Sequence, residues 1–159
     1  MRRLMKFLHT MGAIGLMGSM ACFVVLITFA SEPSSAANAA LLRVAMGGIA
    51  TWVFLPSLAL TLVAGLLAIA VNRAFHNAGW AWVKLSTGIL TFEWGFTSIL
   101  GPTQEHAELS ARALAGDMDA ATLMVSMSDE RNSLWVLLAV ATANVVLGVW
   151  RPRLTRLPD

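Results

Sequence analysis

Residues 80–100, WAWVKLSTGILTFEWGFTSIL, form an apolar stretch that is long enough to cross a bilayer yet contains two ionisable side chains. Lys84 lies about one turn inside one end, and Glu93 lies near the middle. A charged residue at membrane depth costs about 2.5 to 3.5 kcal/mol on insertion scales, so each of these side chains needs water, a partner group or a ligand. We therefore expect the functional groups of the protein to lie around this stretch.

The composition predicts a membrane protein. Of the 159 residues, 57% are hydrophobic and 13% are charged, whereas a soluble domain has roughly 25% charged residues. The sequence shows no internal repeat of solenoid length, so residues 1–159 are interpreted as one domain. Because Cys22 is the only cysteine, an intramolecular disulfide is excluded.

Four apolar segments are long enough to cross a bilayer, which predicts an all-α, integral membrane four-helix bundle. They are residues 7–30, 44–71, 80–100 and 134–150. The basic head MRRLMK before the first segment resembles the start of a signal peptide, but this segment is longer than the usual apolar region of about 7 to 15 residues. We therefore interpret it as a retained anchor.

Prolines and glycines mark the expected breaks. Pro56 should kink the second segment, because it lacks an N–H group and its ring clashes with the preceding turn. Gly101 and Pro102 should end the third segment. The hydrophilic residues 102–133 are then expected to form an acidic loop outside the cytoplasm, with a short helix that Gly116 stops.

The basic residues indicate how the bundle is oriented. If both termini are cytoplasmic, eight lysine and arginine residues lie on that side and three on the other, in agreement with the positive-inside rule. The eight are Arg2, Arg3, Lys6, Arg73, Lys84, Arg151, Arg153 and Arg156, and the three are Arg43, Arg112 and Arg131. We expect a multi-pass protein of a bacterial-type inner membrane, surrounded by the lipid bilayer and without a nucleic-acid partner.

This topology brings His9, His76 and Lys84 to one layer near the cytoplasmic face. A histidine beside a basic group, with Gly12 leaving room for a porphyrin face, predicts a b-type haem site with His9 as the metal ligand, because histidine is a common axial ligand of haem iron. His106 lies at the opposite face and is not expected to join them. Alternatively, His9 and His76 are ordinary interfacial residues, and Lys84 extends its ammonium group to the lipid headgroups.

Glu93 is expected to lie on a different face of its helix from Lys84. Their separation in the sequence places the two side chains about half a rotation apart and roughly 13 Å apart along the axis. They therefore cannot form a direct ion pair. Glu93 is interpreted as a buried charge that hydrogen-bonds to Thr97 or Asn144, as a proton-relay or quinone-side carboxylate, or as a contact with a membrane protein partner or a second copy.

Sulfur-containing side chains suggest copper as an alternative cofactor, because thioethers and imidazole suit Cu(I). One group is Met17, Met20 and Cys22 in the first segment, and the other is Met118, Met124 and Met127 with His106 in the outer loop. However, Met20 and Cys22 are two residues apart and point to different sides of a helix, and methionine often fills a core.

Several short motifs carry a resemblance to a known superfamily. The motifs are LMKFLHTMGAIGLMGSM at residues 4–20, PSLALTLVAG at residues 56–65 and WAWVK at residues 80–84, with Arg131, Asn132, Arg151 and Pro152 around the last segment. The pattern resembles small four-helix membrane proteins that include the copper-resistance protein D family, the HemJ-type protoporphyrinogen oxidases and a related uncharacterised integral-membrane family.

The resemblance implies that His9 and Lys84 are a haem-associated pair. The stretch GLMGSM in the first segment departs from the aromatic-rich pattern of the HemJ branch, which favours the uncharacterised branch and leaves catalysis unassigned. Three functions are therefore expected as alternatives: a redox protein that binds haem, a non-enzymatic accessory or assembly subunit whose Glu93 face meets a partner, and a protein of copper transport or tolerance.

Overall fold

The computed structural model describes residues 2–30, 36–72, 75–76, 78–118 and 128–150. All regular elements in these residues are helical, which confirms the all-α prediction. The helices are α1 (Arg2–Ala30), α2 (Ala36–Ile49), α3 (Leu55–Val71), α4 (Gly79–Trp94), α5 (Gly101–Leu114) and α6 (Ser128–Trp150). Two π-helical segments, Ala50–Phe54 and Gly95–Leu100, join α2 to α3 and α4 to α5 without a break.

The helices form four rods that pack side by side in a ring. The rods are α1, the continuous pair α2 and α3, the continuous pair α4 and α5, and α6. Both α1 and α4 pack against α3 and against α6, while α2 packs mainly against α5. Neighbouring rods run antiparallel, so one end of the bundle holds the start of α1 and the other holds α5. We call these the His9 end and the His106 end.

Three helices in the described part of the chain are long and apolar enough to cross a membrane. They are Arg3–Thr28, Ala36–Val71 and Glu130–Trp150. The third predicted span, residues 80–100, is helical but is not among them. Lys84, Glu93 and the small polar residues of this stretch lower its mean hydropathy. The segment was therefore correctly predicted to be helical, but it is less apolar than the other three rods.

The prediction that Gly101 and Pro102 end the third segment is wrong, because the chain remains helical through both residues to Leu114. Pro102 occupies the first turn of α5, and Pro56 occupies the first turn of α3. A missing N–H group is tolerated at that position. The π segment before each proline widens the helix locally, which makes room for the ring. Each proline thus lies within a continuous rod, next to a π segment, and does not end the helix.

Other helix boundaries also differ from the prediction. The second rod begins at Ala36 instead of residue 44, and α6 begins at Ser128 instead of residue 134. Gly116 follows the end of α5 with a φ of 85°, as expected for a glycine that stops a helix. The predicted loop 102–133 is therefore largely helical at its start, and its residues 119–127 lie outside the described residues.

The core lies between the two ends of the bundle. Phe23 of α1 and Phe54 of the first π segment are fully buried, and their ring centroids are 5.8 Å apart. Other fully buried side chains around them are Met20, Ile27, Met46, Ile99, Leu134 and Leu137. This apolar layer separates the polar groups of the His9 end from those of the His106 end.

Helices α1 and α3 approach closely because α1 presents glycine to α3. A Cβ atom on Gly12 would lie 2.5 Å from Thr61 Oγ1 and 2.8 Å from the Thr61 backbone nitrogen. A Cβ atom on Gly15 would overlap the hydroxyl group of Ser57. The interpretation that Gly12 leaves room for a porphyrin face is therefore wrong, because α3 occupies that space. Gly18, by contrast, has nothing within 4 Å of its Cβ position.

Substitution of Gly12 should separate α1 from α3. We expect Gly12→Ala to lower the free energy of unfolding in detergent by about 1 to 3 kcal/mol, because the added methyl group meets backbone that cannot move aside. Gly18→Ala is the matched control on the same helix and should be neutral or stabilising by up to about 1 kcal/mol. Equal losses in the two variants would contradict the assigned contact.

Candidate ligand-binding site

A cavity of about 420 Å³ lies between all four rods at the His9 end. Its wall is mostly apolar and includes Leu16, Leu58, Leu62 and Leu85. The polar side chains on the wall are Lys6, His9, Thr61, Asn72, Lys84, Thr91 and Asn144. A largely apolar cavity of this size with a few polar groups is typical of a site for a small molecule or cofactor.

The imidazole of His9 is held against the backbone of α3. His9 Nδ1 lies 2.8 Å from the carbonyl oxygen of Thr61. Because a carbonyl can only accept a hydrogen bond, Nδ1 carries the hydrogen, and Nε2 is the nitrogen that can offer a lone pair. Gly65 lies beside the ring, and a Cβ atom there would be in van der Waals contact with it, 3.4 Å from two ring atoms. Histidines that bind metals usually have this arrangement.

Lys84 points into the same cavity from α4. Its Nζ lies 2.7 Å from the position that a Cβ atom on Gly148 would occupy, so the glycine of α6 leaves space for the ammonium group. Lys84 is half-buried and lies in the wall of the same cavity as His9. The structure thus brings His9 and Lys84 together, as the sequence predicted. The role of Gly148 was missed, because nothing in the sequence relates α6 to Lys84.

Asn144 completes the polar part of the wall. The hydroxyl group of Thr87 on α4 donates to Asn144 Oδ1 at 2.8 Å, and Asn144 Nδ2 donates to the carbonyl oxygen of Val140 at 3.2 Å. The bond between Thr87 and Asn144 joins α4 to α6 beside the cavity. Asn144 is therefore a partner of Thr87 and not of Glu93, which corrects one of the sequence-based alternatives.

His76 lies outside the cavity. Its Nε2 is 3.0 Å from the carbonyl oxygen of Ile69, and its own carbonyl oxygen accepts a hydrogen bond from Trp82 Nε1 at 2.9 Å. The imidazole is exposed and packs around the end of α3. The expected grouping of three side chains is therefore reduced to His9 and Lys84.

Glu93 lies on the outer surface of the bundle, so the prediction of a buried charge is wrong. The half-rotation between Lys84 and Glu93 is confirmed, because Lys84 faces the interior and Glu93 faces outward. The hydroxyl group of Thr97 donates to the backbone carbonyl oxygen of Glu93 at 2.8 Å and not to its carboxylate.

The sulfur-containing side chains of α1 do not converge. Met17 lines the cavity, Met20 is fully buried in the core, and Cys22 is exposed. Met124 and Met127 lie outside the described residues. Among the residues that the structure describes, no group of three or more histidine, cysteine, aspartate and glutamate side chains is placed to hold a metal ion.

A second polar cluster lies at the His106 end, and sequence reasoning missed it. His106 Nδ1 of α5 is 3.0 Å from Glu130 Oε1 of α6, and the buried guanidinium of Arg43 on α2 is near them. The close contact with the Glu130 carboxylate raises the pKa of His106 above its ordinary value of 6.5, against the opposing effect of burial. The sequence gives no sign of this cluster, because its members come from three separate helices.

The pair of His106 and Glu130 should make stability depend on pH. Because the pKa of His106 is raised in the folded state, the pair contributes fully below about pH 6.5 and its contribution is lost as the pH rises through the raised pKa. We expect a loss on the order of 1 kcal/mol in the free energy of unfolding. Glu130→Gln should remove this loss, while His76→Gln, at the opposite end, should retain it. Denaturant unfolding of the wild-type protein and of the two variants, from below pH 6.5 to above the raised pKa of His106, measures this loss.

Comparison with protein-family models, curated proteins and solved structures finds no match to this chain. The resemblance seen in the short motifs therefore stays a prediction. The geometry of the cavity is the basis for a functional assignment.

Proposed function

We propose that this protein is a multi-pass membrane protein that binds b-type haem in the cavity at the His9 end, in a redox role. The observation that carries the proposal is the geometry of His9. Its Nδ1 is bonded to the carbonyl oxygen of Thr61 at 2.8 Å, its ring lies in the cavity wall, and its Nε2 is the atom suited to bind iron. Haem, when bound, supplies one-electron chemistry at its iron.

The remaining groups of the cavity suit the same ligand. A porphyrin is flat and apolar and carries two propionate groups, so it needs apolar walls and a positive charge at one edge. The leucine side chains and Gly88 supply apolar surface, and Lys84 supplies an ammonium group that can pair with a propionate. Thr61 orients His9, and Gly148 leaves Lys84 space in the cavity.

The packing supports a topology with four spans. The rod that contains residues 79–100 runs between two rods that are long and apolar enough to cross a membrane, and it is antiparallel to both. A rod in that position would cross the bilayer with its neighbours. Four crossings place both termini on one side, and the positive-inside rule makes that side the cytoplasm. A bacterial-type inner membrane is the location that we propose.

Haem binding predicts a Soret band in the protein purified from its native membrane in mild detergent. His9→Ala should lose this band or shift it by several nanometres, because the iron loses its axial ligand. His76→Ala is the matched control, since His76 lies outside the cavity, and it should keep the spectrum unchanged. Size-exclusion chromatography of each variant separates loss of haem from loss of fold.

Two results would overturn the haem assignment. One is a folded wild-type protein without a Soret band, even after haem is supplied during expression. The other is a His9→Ala variant that keeps both its fold and an unaltered spectrum.

The proposed topology predicts the position of reporters fused to the chain. Green fluorescent protein fused after Asp159 should fluoresce, because it folds in the cytoplasm, and alkaline phosphatase fused there should be inactive. Alkaline phosphatase inserted after Gly116 should be active, because that position is proposed to lie on the outer side of the membrane. A terminal reporter found outside would contradict four crossings.

A further inference from the structure

The rod formed by α2 and α3 is longer than a bilayer is thick. Its apolar span, Ala36–Val71, has 36 residues, which corresponds to about 54 Å of helix. The hydrocarbon core of a typical bilayer is about 30 Å thick, and a tilt of about 20° shortens the rod by only a few Å. Hydropathy alone would centre this span in the bilayer, with Trp52 close to the midplane. Part of the rod therefore lies outside the hydrocarbon.

The contact between α2 and α5 indicates which part this is. A Cβ atom on Gly47 of α2 would overlap the side chain of Ala107 on α5, so these two residues lie at the same depth. Next to Ala107, α5 exposes the carboxyl groups of Glu105 and Glu108. Exposed charges are costly in hydrocarbon. The end of the rod that contains α2 is therefore the end that lies in water.

Exposed tryptophan side chains mark a boundary between this end and the rest of the bundle. Trp52 and Trp94 are exposed on neighbouring rods. Trp94 adjoins Gly95, whose Cβ position lies 3.1 Å from Cζ of Phe54, and Phe54 is two residues from Trp52. Trp52 and Trp94 thus lie at closely similar depths.

Trp135 reaches the same depth on α6, where it is also exposed. The hydrogen bond between Thr87 and Asn144 sets the register of α4 against α6. From this bond toward the His106 end, Trp94 is seven residues along α4 and Trp135 is nine residues along α6, so their backbones differ in depth by about 3 Å. We call the common depth of Trp52, Trp94 and Trp135 the outer tryptophan level. Tryptophan is enriched where a membrane meets water.

Trp82 and Trp150 form a second level near the His9 end. Both are exposed, and they lie five and six residues from the bond between Thr87 and Asn144 on its other side. The band between the two levels is about 20 Å tall. A bilayer accommodates a band shorter than its hydrocarbon core by thinning locally and by extension of flanking side chains toward water.

The surface of this band is apolar, and Glu93 lies at its edge. On α3, α4 and α6, Glu93 is the only exposed ionisable residue between the two levels, and it directly precedes Trp94. Its carboxyl group thus lies next to the outer tryptophan level, where lipid headgroups and water can solvate a carboxylate. The exposed charge of α4 therefore has the same boundary as the tryptophan side chains.

We propose that the bilayer covers only the band between the two tryptophan levels, and that lipid headgroups contact the bundle at Trp52, Trp94 and Trp135. Helices α2 and α5 and the first turns of α6 then project into the water outside the cytoplasm, together with the pair of His106 and Glu130. The proposal rests on the four crossings of the proposed function and is independent of haem binding.

Labelling of single cysteines in right-side-out membrane vesicles tests this boundary. Cys22 is the only cysteine, so a Cys22→Ser background carries no other thiol. Leu41→Cys and Val63→Cys are a matched pair, because the two positions are 56% and 53% exposed and lie eleven residues from Trp52 in opposite directions on one rod. A membrane-impermeant maleimide should label Leu41→Cys about tenfold faster or more, because a thiol in hydrocarbon does not form the reactive thiolate.

Tryptophan fluorescence of the wild-type protein provides a measurement that needs no variant. In reconstituted vesicles, lipids brominated near the carbonyl end of the acyl chains should quench the emission more than lipids brominated near the methyl end, because the exposed tryptophan side chains lie at the edges of the band. Equal or stronger quenching from the methyl end would place the outer tryptophan level near the midplane and overturn the proposal.

The labelling experiment can also contradict the proposal in three distinguishable ways. Slow labelling of both cysteines from either side of the membrane would mean that lipid covers the whole rod, and the four crossings would stand. Fast labelling of both in the folded protein would mean that lipid does not cover the band, and the four crossings would fail as well. Labelling of Leu41→Cys only in inverted vesicles would reverse the orientation. The Soret band is recorded separately, so none of these results is confused with loss of haem.

Discussion

The backbone contact between α1 and α3 is the constraint on which the His9 end depends. Because Gly12 and Gly15 have no side chains, α1 lies directly on Ser57 and Thr61. Only at that separation does His9 reach the carbonyl oxygen of Thr61. A clash with backbone is not relieved by a change of rotamer, since a packed interior has little free space. The position of the imidazole, and with it the chemistry of the cavity, is therefore a consequence of helix packing.

Glycines also allow close approach at other contacts between rods. Gly148 of α6 leaves space for the ammonium group of Lys84, and Gly47 of α2 lets the side chain of Ala107 on α5 approach its backbone. Each glycine lowers helix propensity by roughly 1 kcal/mol relative to alanine. Close packing between rods, together with the polar contacts that it permits, offsets this intrinsic cost. Glycines at helix contacts therefore shape both ends of the bundle.

The two prolines determine how far the central rods extend. Each follows a π segment, where the wider turn accommodates a ring that would otherwise clash with the preceding carbonyl group. The rod that contains Pro102 consequently continues into α5, which packs on α2 and brings His106 to Glu130. The apolar layer around Phe23 keeps this ionic cluster apart from the cavity. Polar chemistry is thus divided mainly between the two ends, and the carboxyl group of Glu93 faces outward between them.

The sequence by itself determined the all-helical class, the apolar rods, the shared layer of His9 and Lys84, and the opposite faces of Lys84 and Glu93. These follow from composition and from the helical period, which are properties of neighbouring residues. Tertiary structure decided the continuity through Pro102, the filling of the space beside Gly12, the placement of His76 outside the cavity and the contact of His106 with Glu130. Each of these depends on which rods become neighbours. His9 and Thr61, for example, are 52 residues apart, and only packing of α1 on α3 brings them together.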